Sequence, residues 1–582
     1  MDIPSSPKKN TRIDPGEVLS PGRVQETFGS YGHGGIAFSP STERDFDPQP
    51  ISPTDGATDG AHFSQQQELM MNFKSDDNKY TITEHTTLLS SENFYGSTTS
   101  YSESGSIEPI SSSSSLWNDS VDNQILSTTP RREIFFLAKS SLPLIITFIL
   151  QYSLTVASVF SVGHLGKTEL SAVSLAVMTA NITGFAMIQG LATSLDTFCA
   201  QAYGAGCYHQ VGQYFQKGIL MIMVIFFPVG ILWLNAGPIL NYIVQDTALV
   251  DLSLQYLRII MLGVPAFIAF ECGKRFLQAQ GIFHATTTVL IICAPTNAIL
   301  NYVLVWSPTI GLGFIGAPLA VAISNWLMAI MLLLFVLFID GKKCWGGFSI
   351  RAFQKWGDMV CLAIPGLIMI EAEFLAYEVL TLSASRFGTT ALATQSIVAT
   401  VMSFQYQIPL AIGIAASTRV ANFIGSSQST NAKVTTKISI LISGLIGAFD
   451  CLVCYYFRSK IGRAFSKDED VIELVAQLVP VMMCCHFFDA PCAILAGLLR
   501  GIGRQRVGGF VNLTLFYALG IPLSLLFGFV WGIGLRGLWM GMLFAIMSIA
   551  ACELIYLYNC NWDKIVDEAE QRKHRSCENA LA

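Results

Sequence analysis

The stretch PGLIMIEAEFLAYEVLTLSASRFG, residues 365–388, is long and apolar enough to cross a lipid bilayer, yet it contains three glutamates. Crossing the hydrocarbon layer takes about 20 apolar residues, and a carboxylate at mid-depth costs about 2.5–3.5 kcal/mol on insertion scales. Such acids therefore require a partner or a water-filled cavity. At about 100° per residue, Glu371 and Glu378 share one helix face while Glu373 points elsewhere, so the three acids need not have one role.

The composition of the whole chain agrees with a membrane protein. Hydrophobic residues make up 52% of the 582 residues and charged residues 13%, whereas a soluble domain has about 25% charged residues. We therefore predict an all-α polytopic membrane protein with twelve transmembrane helices. The predicted spans are 135–160, 170–196, 214–236, 252–272, 283–307, 315–340, 356–383, 390–416, 434–456, 471–492, 507–530 and 535–559.

Residues 1–130 differ from the rest because Ser, Thr, Pro, Gly, Asp and Gln dominate and hydrophobic periodicity is absent. Such a segment cannot bury enough apolar surface to offset its ordering entropy, which predicts a disordered cytoplasmic tail. Within it, Glu84 followed four and five residues later by Leu88 and Leu89 is similar to an acidic dileucine sorting signal, which coat adaptors read; chance occurrence is the alternative. With no signal-peptide apolar region at the N-terminus, this signal favours the vacuolar membrane, and the plasma membrane is the alternative.

The orientation follows from the basic residues of the short connections. With both termini in the cytosol, the inner segments contain nineteen Lys and Arg residues and the outer connections seven. Because positive charge concentrates on the cytoplasmic side, both termini are predicted to be cytoplasmic.

The spans are also duplicated at a nearly constant offset. Gly166 matches Gly388, Gly204 matches Gly425, and two further anchors near residues 281 and 313 recur at the same offset of 221–222. We predict two parallel six-helix repeats, an N-terminal lobe at 131–340 and a C-terminal lobe at 341–560, followed by a cytoplasmic tail at 561–582. Parallel repeats enclose a central cavity and alternate access by rocking.

Two repeat-related segments connect the chain to a known family. GLATSLDTFCAQAYGAG at 190–206 and AASTRVANFIGS at 415–426, together with DAPCAILAGLLRG from residue 489, resemble the signatures of the multidrug and toxic compound extrusion (MATE) family in its eukaryotic branch. The resemblance covers residues 131–560, and the long N-terminal extension is similar to that of the fungal members. It implies export of organic, often cationic, compounds in exchange for a cation, which is the proton in eukaryotic members and less often sodium.

The resemblance also implies functional residues. Glu373, with a second acid, Glu378, five residues later, matches the family's coupling position in span seven, and Asp489 matches the acid of span ten in plant-type members. Gln151 lies where several bacterial members have an aspartate, so a bacterial type of site in the N-terminal lobe is not carried over. The alternative for these acids is an ion pair that only locks helices together.

Desolvation raises the pKa of a buried carboxylate, so that a membrane pH gradient can change its charge. The neutral acid is easily buried and the ionised acid attracts an organic cation. Competition of proton and substrate for one carboxylate therefore suffices for exchange.

Aromatic and amide side chains of the spans are candidates for the wall that contacts the substrate. The alternative role of each is an interhelical hydrogen bond. The candidates are Gln151, Tyr152, Asn181, Asn297, Asn301, Phe374, Tyr377, Gln405 and Tyr406.

The signature segments suggest a gate or lobe clamp at the cytoplasmic face, formed by Asp196 and Gln201 of the first half and Arg419 and Asn422 of the second. Helix-end capping is the alternative for Asp196. An ion pair is predicted for the i, i+3, i+4 set Glu271, Lys274 and Arg275. The late acids Asp450 and Glu553 belong to no motif and are interpreted as structural.

Other functional classes find no support in the residues. Cys484, Cys485 and His486 are adjacent on one helix and point in different directions, so they cannot close a zinc site. There is no nucleophile–base set, phosphate loop or basic aromatic patch, and so we predict no enzyme, cofactor, metal or nucleic-acid partner. The expected form is a monomer in the bilayer that handles small organic solutes. A lipid or lipid-linked oligosaccharide flippase and a nonenzymatic scaffold are the rival functions.

Overall fold

A computed structural model of the protein describes residues 128–581, apart from residues 164, 244, 245 and 467. The predicted sorting signal Glu84, Leu88 and Leu89 lies outside these residues, as does the predicted tail up to residue 127. The described residues form helices joined by turns, with no β-strand among them. The all-α prediction is therefore confirmed.

Twelve of the helices are long and apolar enough to cross a membrane, and each corresponds to one predicted span. The prediction of a twelve-helix membrane protein is confirmed. In chain order the helices are α1 Pro130–Gly163, α2 Thr168–Gly204, α3 Tyr208–Leu234, α4 Thr247–Ala279, α5 His284–Trp306, α6 Gly313–Phe338, α7 Gly357–Phe387, α8 Thr389–Gly425, α9 Ser429–Arg458, α10 Glu469–Gly501, α11 Gln505–Val530 and α12 Leu535–Asn559.

Several helices extend beyond the apolar stretch that predicted them. The sequence ends span eight at residue 416 and span ten at residue 492, whereas α8 continues to Gly425 and α10 to Gly501. The additional turns contain polar side chains such as Arg419 and Asn422, which are nevertheless buried. These turns face protein rather than lipid, and a hydropathy pattern cannot detect them for that reason.

The two halves repeat one packing order. In the first half α1 packs against α5, α2 against α4, and α4 against α6; in the second half α7 packs against α11, α8 against α10, and α10 against α12. Equivalent helices are six spans apart and therefore run in the same direction. This order agrees with the duplication that the sequence indicates.

The buried core of the first half does not stop at the lobe boundary. It continues through the ends of α8 and α10 and into a further helix, α13, at Trp562–Leu581. Trp562, Ile565, Val566 and Ala569 are buried on one face of α13, at the three- and four-residue spacing of an amphipathic helix. The sequence predicts only a cytoplasmic tail for residues 561–582, and this helix is not among the predicted elements.

Candidate functional site

Three carboxylates from three different helices face one small cavity in the second half. Glu373 comes from α7, Asp489 from α10 and Glu553 from α12, and Tyr406 and Asn512 also line the cavity. Its volume is about 20 Å³, which is room for one water molecule. We call this cavity, defined by these five residues, the acid pocket.

Two of the three acids of the acid pocket were predicted as functional residues from the sequence, and the third was not. Glu373 and Asp489, the two acids implied by the family resemblance, lie together as pocket residues. Glu553, which was interpreted as structural, lies with them and has an exposed fraction of 0%. The available signal was its acidic side chain within an apolar span, the same signal that singled out α7.

The other acid of the predicted coupling pair is placed differently. Glu378 is buried in α7 but does not line the acid pocket. Five residues turn a helix by about 500°, so its side chain points about 140° away from that of Glu373. The acids that lie with Glu373 around the pocket come from α10 and α12, and the coupling role of Glu378 stays a prediction.

A histidine connects Asp489 to another buried acid. Nδ1 of His486 lies 4.0 Å from Oδ2 of Asp489, and Nε2 of His486 lies 3.2 Å from Oδ2 of Asp450 on α9. His486 is 1% exposed. His486 thus lies between Asp489 and Asp450, and its Nδ1 makes no hydrogen bond with a described residue.

The first half contains a polar cluster at the repeat-related place, with a different charge balance. Gln151, which is 222 positions before Glu373, donates to Oε1 of Glu271 at 3.3 Å and accepts from Nζ of Lys274 at 3.2 Å. Lys274 and Arg275 pair with Glu271 at 2.6 and 2.9 Å, as the sequence predicted. This cluster therefore contains its own cations.

Two of the proposed wall residues lie inside the N-terminal lobe instead. Asn297 and Asn301 are both 0% exposed. The Asn297 side chain donates to Ser324 at 2.8 Å, and the Asn301 side chain accepts from Ser158 at 3.2 Å. These bonds join α5 to α6 and α1, which favours the interhelical role over contact with a substrate.

The remaining wall candidates of the prediction lie outside the acid pocket, except Tyr406. Asn181 begins a widened, π-helical turn at Asn181–Phe185 in α2, a feature frequent at functional sites. Tyr377 packs on Trp539 with ring centroids 6.1 Å apart. Tyr152, Phe374 and Gln405 are partly buried.

The two signature segments meet at the ends of α2 and α8. A Cβ built on Gly204 would overlap the carbonyl oxygen of Asn422, and a Cβ built on Gly425 would overlap that of Gln201. Because these four positions are related by the offset of 221, the contact is reciprocal. We call the surface formed by residues 193–204, 417–425 and 500–505 the signature interface.

Ion pairs link the halves at this end of the molecule, but not as expected. Asp196 lies 3.3 Å from Arg275 and 3.5 Å from Arg500 of α10, and Arg419 lies 3.1 Å from Glu133 of α1. Asp196 and Arg419 therefore do not clamp one another. The N-cap of this part of α2 is Thr193, without a side-chain cap bond, and Asp196 lies in the first turn that follows.

Arg500 stands between the signature interface and the acid pocket. Its guanidinium faces Asp196 across the lobe boundary, and its charge acts on Glu373 and Glu553. A change of charge in the acid pocket therefore changes the electrostatic interaction with Arg500, which belongs to the signature interface.

Backbone and amide hydrogen bonds complete the signature interface. Gln201 donates to the carbonyl oxygen of Gly501 at 3.0 Å, and Gln505 donates to that of Thr193 at 3.2 Å. Side chains from both halves thus bond to the main chain of the other half. Together with the glycine contacts, these bonds hold the ends of α2, α8 and α10 close to one another.

The C-terminal helix α13 contacts both halves beside this interface. Its Arg572 donates to Gln201 of the first half at 3.0 Å, and its Glu568 accepts from Arg504 of the second half at 2.8 Å. Glu570 accepts from Ser427, also in the second half. Acidic residues of α13 thus contact one half, and a basic residue contacts the other.

Comparison with known proteins gives a consistent result. The MatE family model matches residues 143–303 and again residues 365–526. An uncharacterized transporter of Saccharomyces cerevisiae is 46% identical over 76% of this chain, which spans 64% of that relative's length. Multidrug and toxin extrusion protein 1 of Homo sapiens is 34% identical over 71% of this chain and 72% of its own. The crystal structure of a eukaryotic MATE transporter, AtDTX14, superposes with a TM-score of 0.72 at 29% identity, covering 76% of this chain and 99% of that one.

Proposed function

Since the chain belongs to the multidrug and toxic compound extrusion family of membrane transporters, we propose that it exports organic, often cationic, solutes from the cytosol in exchange for protons. The observation that supports this reading best is the acid pocket, where Glu373 and Asp489 lie together beside a third buried acid, Glu553. Either a proton or an organic cation can neutralise such a carboxylate. Exchange follows when each ligand favours a different state of the transporter.

We place the cytoplasmic gate of the transporter at the signature interface. Its close contacts hold the ends of α2, α8 and α10 together, and the positive-inside count puts these ends in the cytosol with both termini. In this reading the closed signature interface corresponds to a state of the transporter that is closed toward the cytosol. Rocking of the N-terminal lobe (131–340) against the C-terminal lobe (341–560) then opens the interface.

The test uses sealed vesicles with an imposed pH gradient and a fluorescent organic cation. We expect wild type to accumulate the cation, and we expect Glu373→Gln and Asp489→Asn, at matched expression, to lose proton-driven uptake. The reason is that an amide cannot take up and release the proton whose movement drives transport. Cys552→Ala, an exposed neighbour of the acid pocket on α12, is the matched control and should retain uptake.

Two outcomes contradict the proposal. Uptake that persists in both acid-to-amide variants removes the coupling role from Glu373 and Asp489. A wild-type protein that moves no cation but transfers labelled lipid between leaflets would establish the flippase function in place of antiport.

The place of action is a second part of the proposal. The dileucine-like segment favours the vacuolar membrane, where an acidic lumen supplies protons for loading solutes. Replacing Leu88 and Leu89 by alanine is expected to move a fluorescently tagged protein from the vacuole to the plasma membrane, because adaptor recognition of the two leucines is lost. Replacing the adjacent Ser90 and Ser91 is the control, and vacuolar targeting that survives the leucine changes disproves the signal.

A further inference from the structure

The acid pocket contains hydrogen-bond acceptors that lack donors among the described residues. Neither carboxylate oxygen of Glu553 has a hydrogen-bond partner, and neither does Oδ1 of Asn512. The amide nitrogen of Asn512 donates to the carbonyl oxygen of Met369 at 3.2 Å, so this side chain is oriented with its oxygen as the free group. Both residues are more than nine-tenths buried. A buried polar group without a partner is costly, and these acceptors require a donor or a cation.

The surroundings of Glu553 do not supply one. On the α11 side its Oε1 is 3.4 Å from the position of a Cβ on Gly508, where there is no side chain. Arg500 is the cation that acts on this group, and it already pairs with Asp196 at 3.5 Å. The charged and titratable groups around Glu553 come from α7, α8 and α10: Glu373, Tyr406, Asp489, Cys492 and Arg500.

The charge balance of the acid pocket also indicates that a cation is required. Three carboxylates and no basic side chain line the pocket, and the nearby Arg500 pairs with Asp196 of the other half. Unpaired buried charges cost several kcal/mol each, so all three acids cannot be ionised together without added positive charge. By contrast, the repeat-related cluster of the first half has Lys274 and Arg275 bonded to Glu271. The second half has a cavity where the first half has a lysine.

We propose that Glu553 and Asn512 complete a three-carboxylate site for a small monovalent cation, hydronium or sodium, in which Glu553 is a cation-binding residue in addition to Glu373 and Asp489. The cavity of about 20 Å³ fits an ion of that size. The exchanged ion and the organic solute then compete for the same carboxylates. This inference rests on the proposed exchange function and extends it by adding Glu553 to the residues that bind the exchanged ion.

The test measures ion release on solute binding, without transport. Purified protein in weakly buffered solution with a pH indicator is mixed with a saturating fluorescent organic cation between pH 5 and pH 8, and the released protons are counted per protein. We expect Glu553→Gln to release about one proton fewer than wild type, while Cys552→Ala releases as many as wild type. A parallel series at pH 8 replaces KCl by NaCl at constant ionic strength and follows the affinity for the organic cation.

The outcomes separate the two ions and the two proposals. A lower proton count in Glu553→Gln assigns the site to the proton; an unchanged count, with NaCl weakening solute binding to wild type but not to Glu553→Gln, assigns it to sodium. If wild type releases protons and Glu553→Gln behaves identically in both series, Glu553 is structural and this inference falls while the antiport function stands. If wild type binds the solute with no release of protons and no effect of sodium, the antiport function itself falls.

Replacement of Glu553 by the shorter acid aspartate tests the same site if Glu553→Gln does not fold. Glu553→Asp retains the carboxyl group but withdraws it by one methylene from the other acids. We expect the full proton count with a shifted pH midpoint of solute affinity. An unchanged midpoint would show that the position of this carboxyl group has no bearing on ion binding.

Discussion

Replacing Gly204 by alanine is expected to slow export by about fivefold to 150-fold. The new methyl group would occupy the place of the Asn422 carbonyl oxygen, so the ends of α2 and α8 must separate. Overpacking a close contact costs about 1–3 kcal/mol, and a bias of that size between two states changes their ratio by about 5–150-fold. Because the methyl group clashes only when the signature interface is closed, the variant should accumulate in the open state.

The repeat supplies a second version of this experiment. Gly425→Ala clashes with Gln201 in the same way and should give a similar defect, whereas Gly444→Ala in α9 meets open space and should export normally. Hydrogen exchange of the amides in residues 417–425 should rise in the two interface variants. Normal export and unchanged exchange in both would show that the signature interface need not close for transport.

Removing the Arg419 side chain is expected to be the most destabilising of the changes considered. Arg419→Met leaves Glu133, which is 0% exposed, without its cation at 3.1 Å. Breaking a buried pair from one side costs about 3–5 kcal/mol, because the remaining charge is buried without compensation. The loss should appear as a lower apparent melting temperature of the purified protein and a lower yield of folded transporter.

A double replacement distinguishes the lost charge pair from lost packing. The guanidinium of Arg419 also stacks on Phe136 and Phe423, at 4.5 and 4.3 Å from the ring centroids, and methionine retains part of that apolar contact. Glu133→Gln combined with Arg419→Met should recover most of the stability. If the double variant is as unstable as Arg419→Met alone, the cost comes from packing and not from the unpaired carboxylate.

The number and order of the helices could be predicted from hydropathy, because about five or six helical turns cross the hydrocarbon layer and must be apolar on their lipid-facing side. The ends of α8 and α10 could not, since Arg419 and Asn422 are polar residues buried by the opposite half. The ion pairs there join residues far apart in the chain, as Glu133 and Arg419 do. A local pattern contains no information on which distant charge will be the partner.

In the candidate site, too, some residues could be predicted from the local sequence and others could not. An acid in an apolar span is visible in the sequence, and a family motif then selected Glu373 and Asp489, while Glu553 had the same local signal but no motif. Amides are harder to interpret, because the same side chain bonds a neighbouring helix or contacts a cavity depending on how its helix is rotated. Asn297 and Asn301 belong to the first kind, and only their contacts with Ser324 and Ser158 reveal it.

The position of α13 has a consequence for biosynthesis. A chain emerges from the ribosome from its N-terminus at about 5–20 residues per second, and its domains fold in that order. Both six-helix halves are therefore made before Glu568 and Arg572, the residues with which α13 holds one half and the other. The newly made protein exists for a time as two inserted bundles without this connection, and a message that stops shortly after Asn559 yields every membrane helix but never completes the joint.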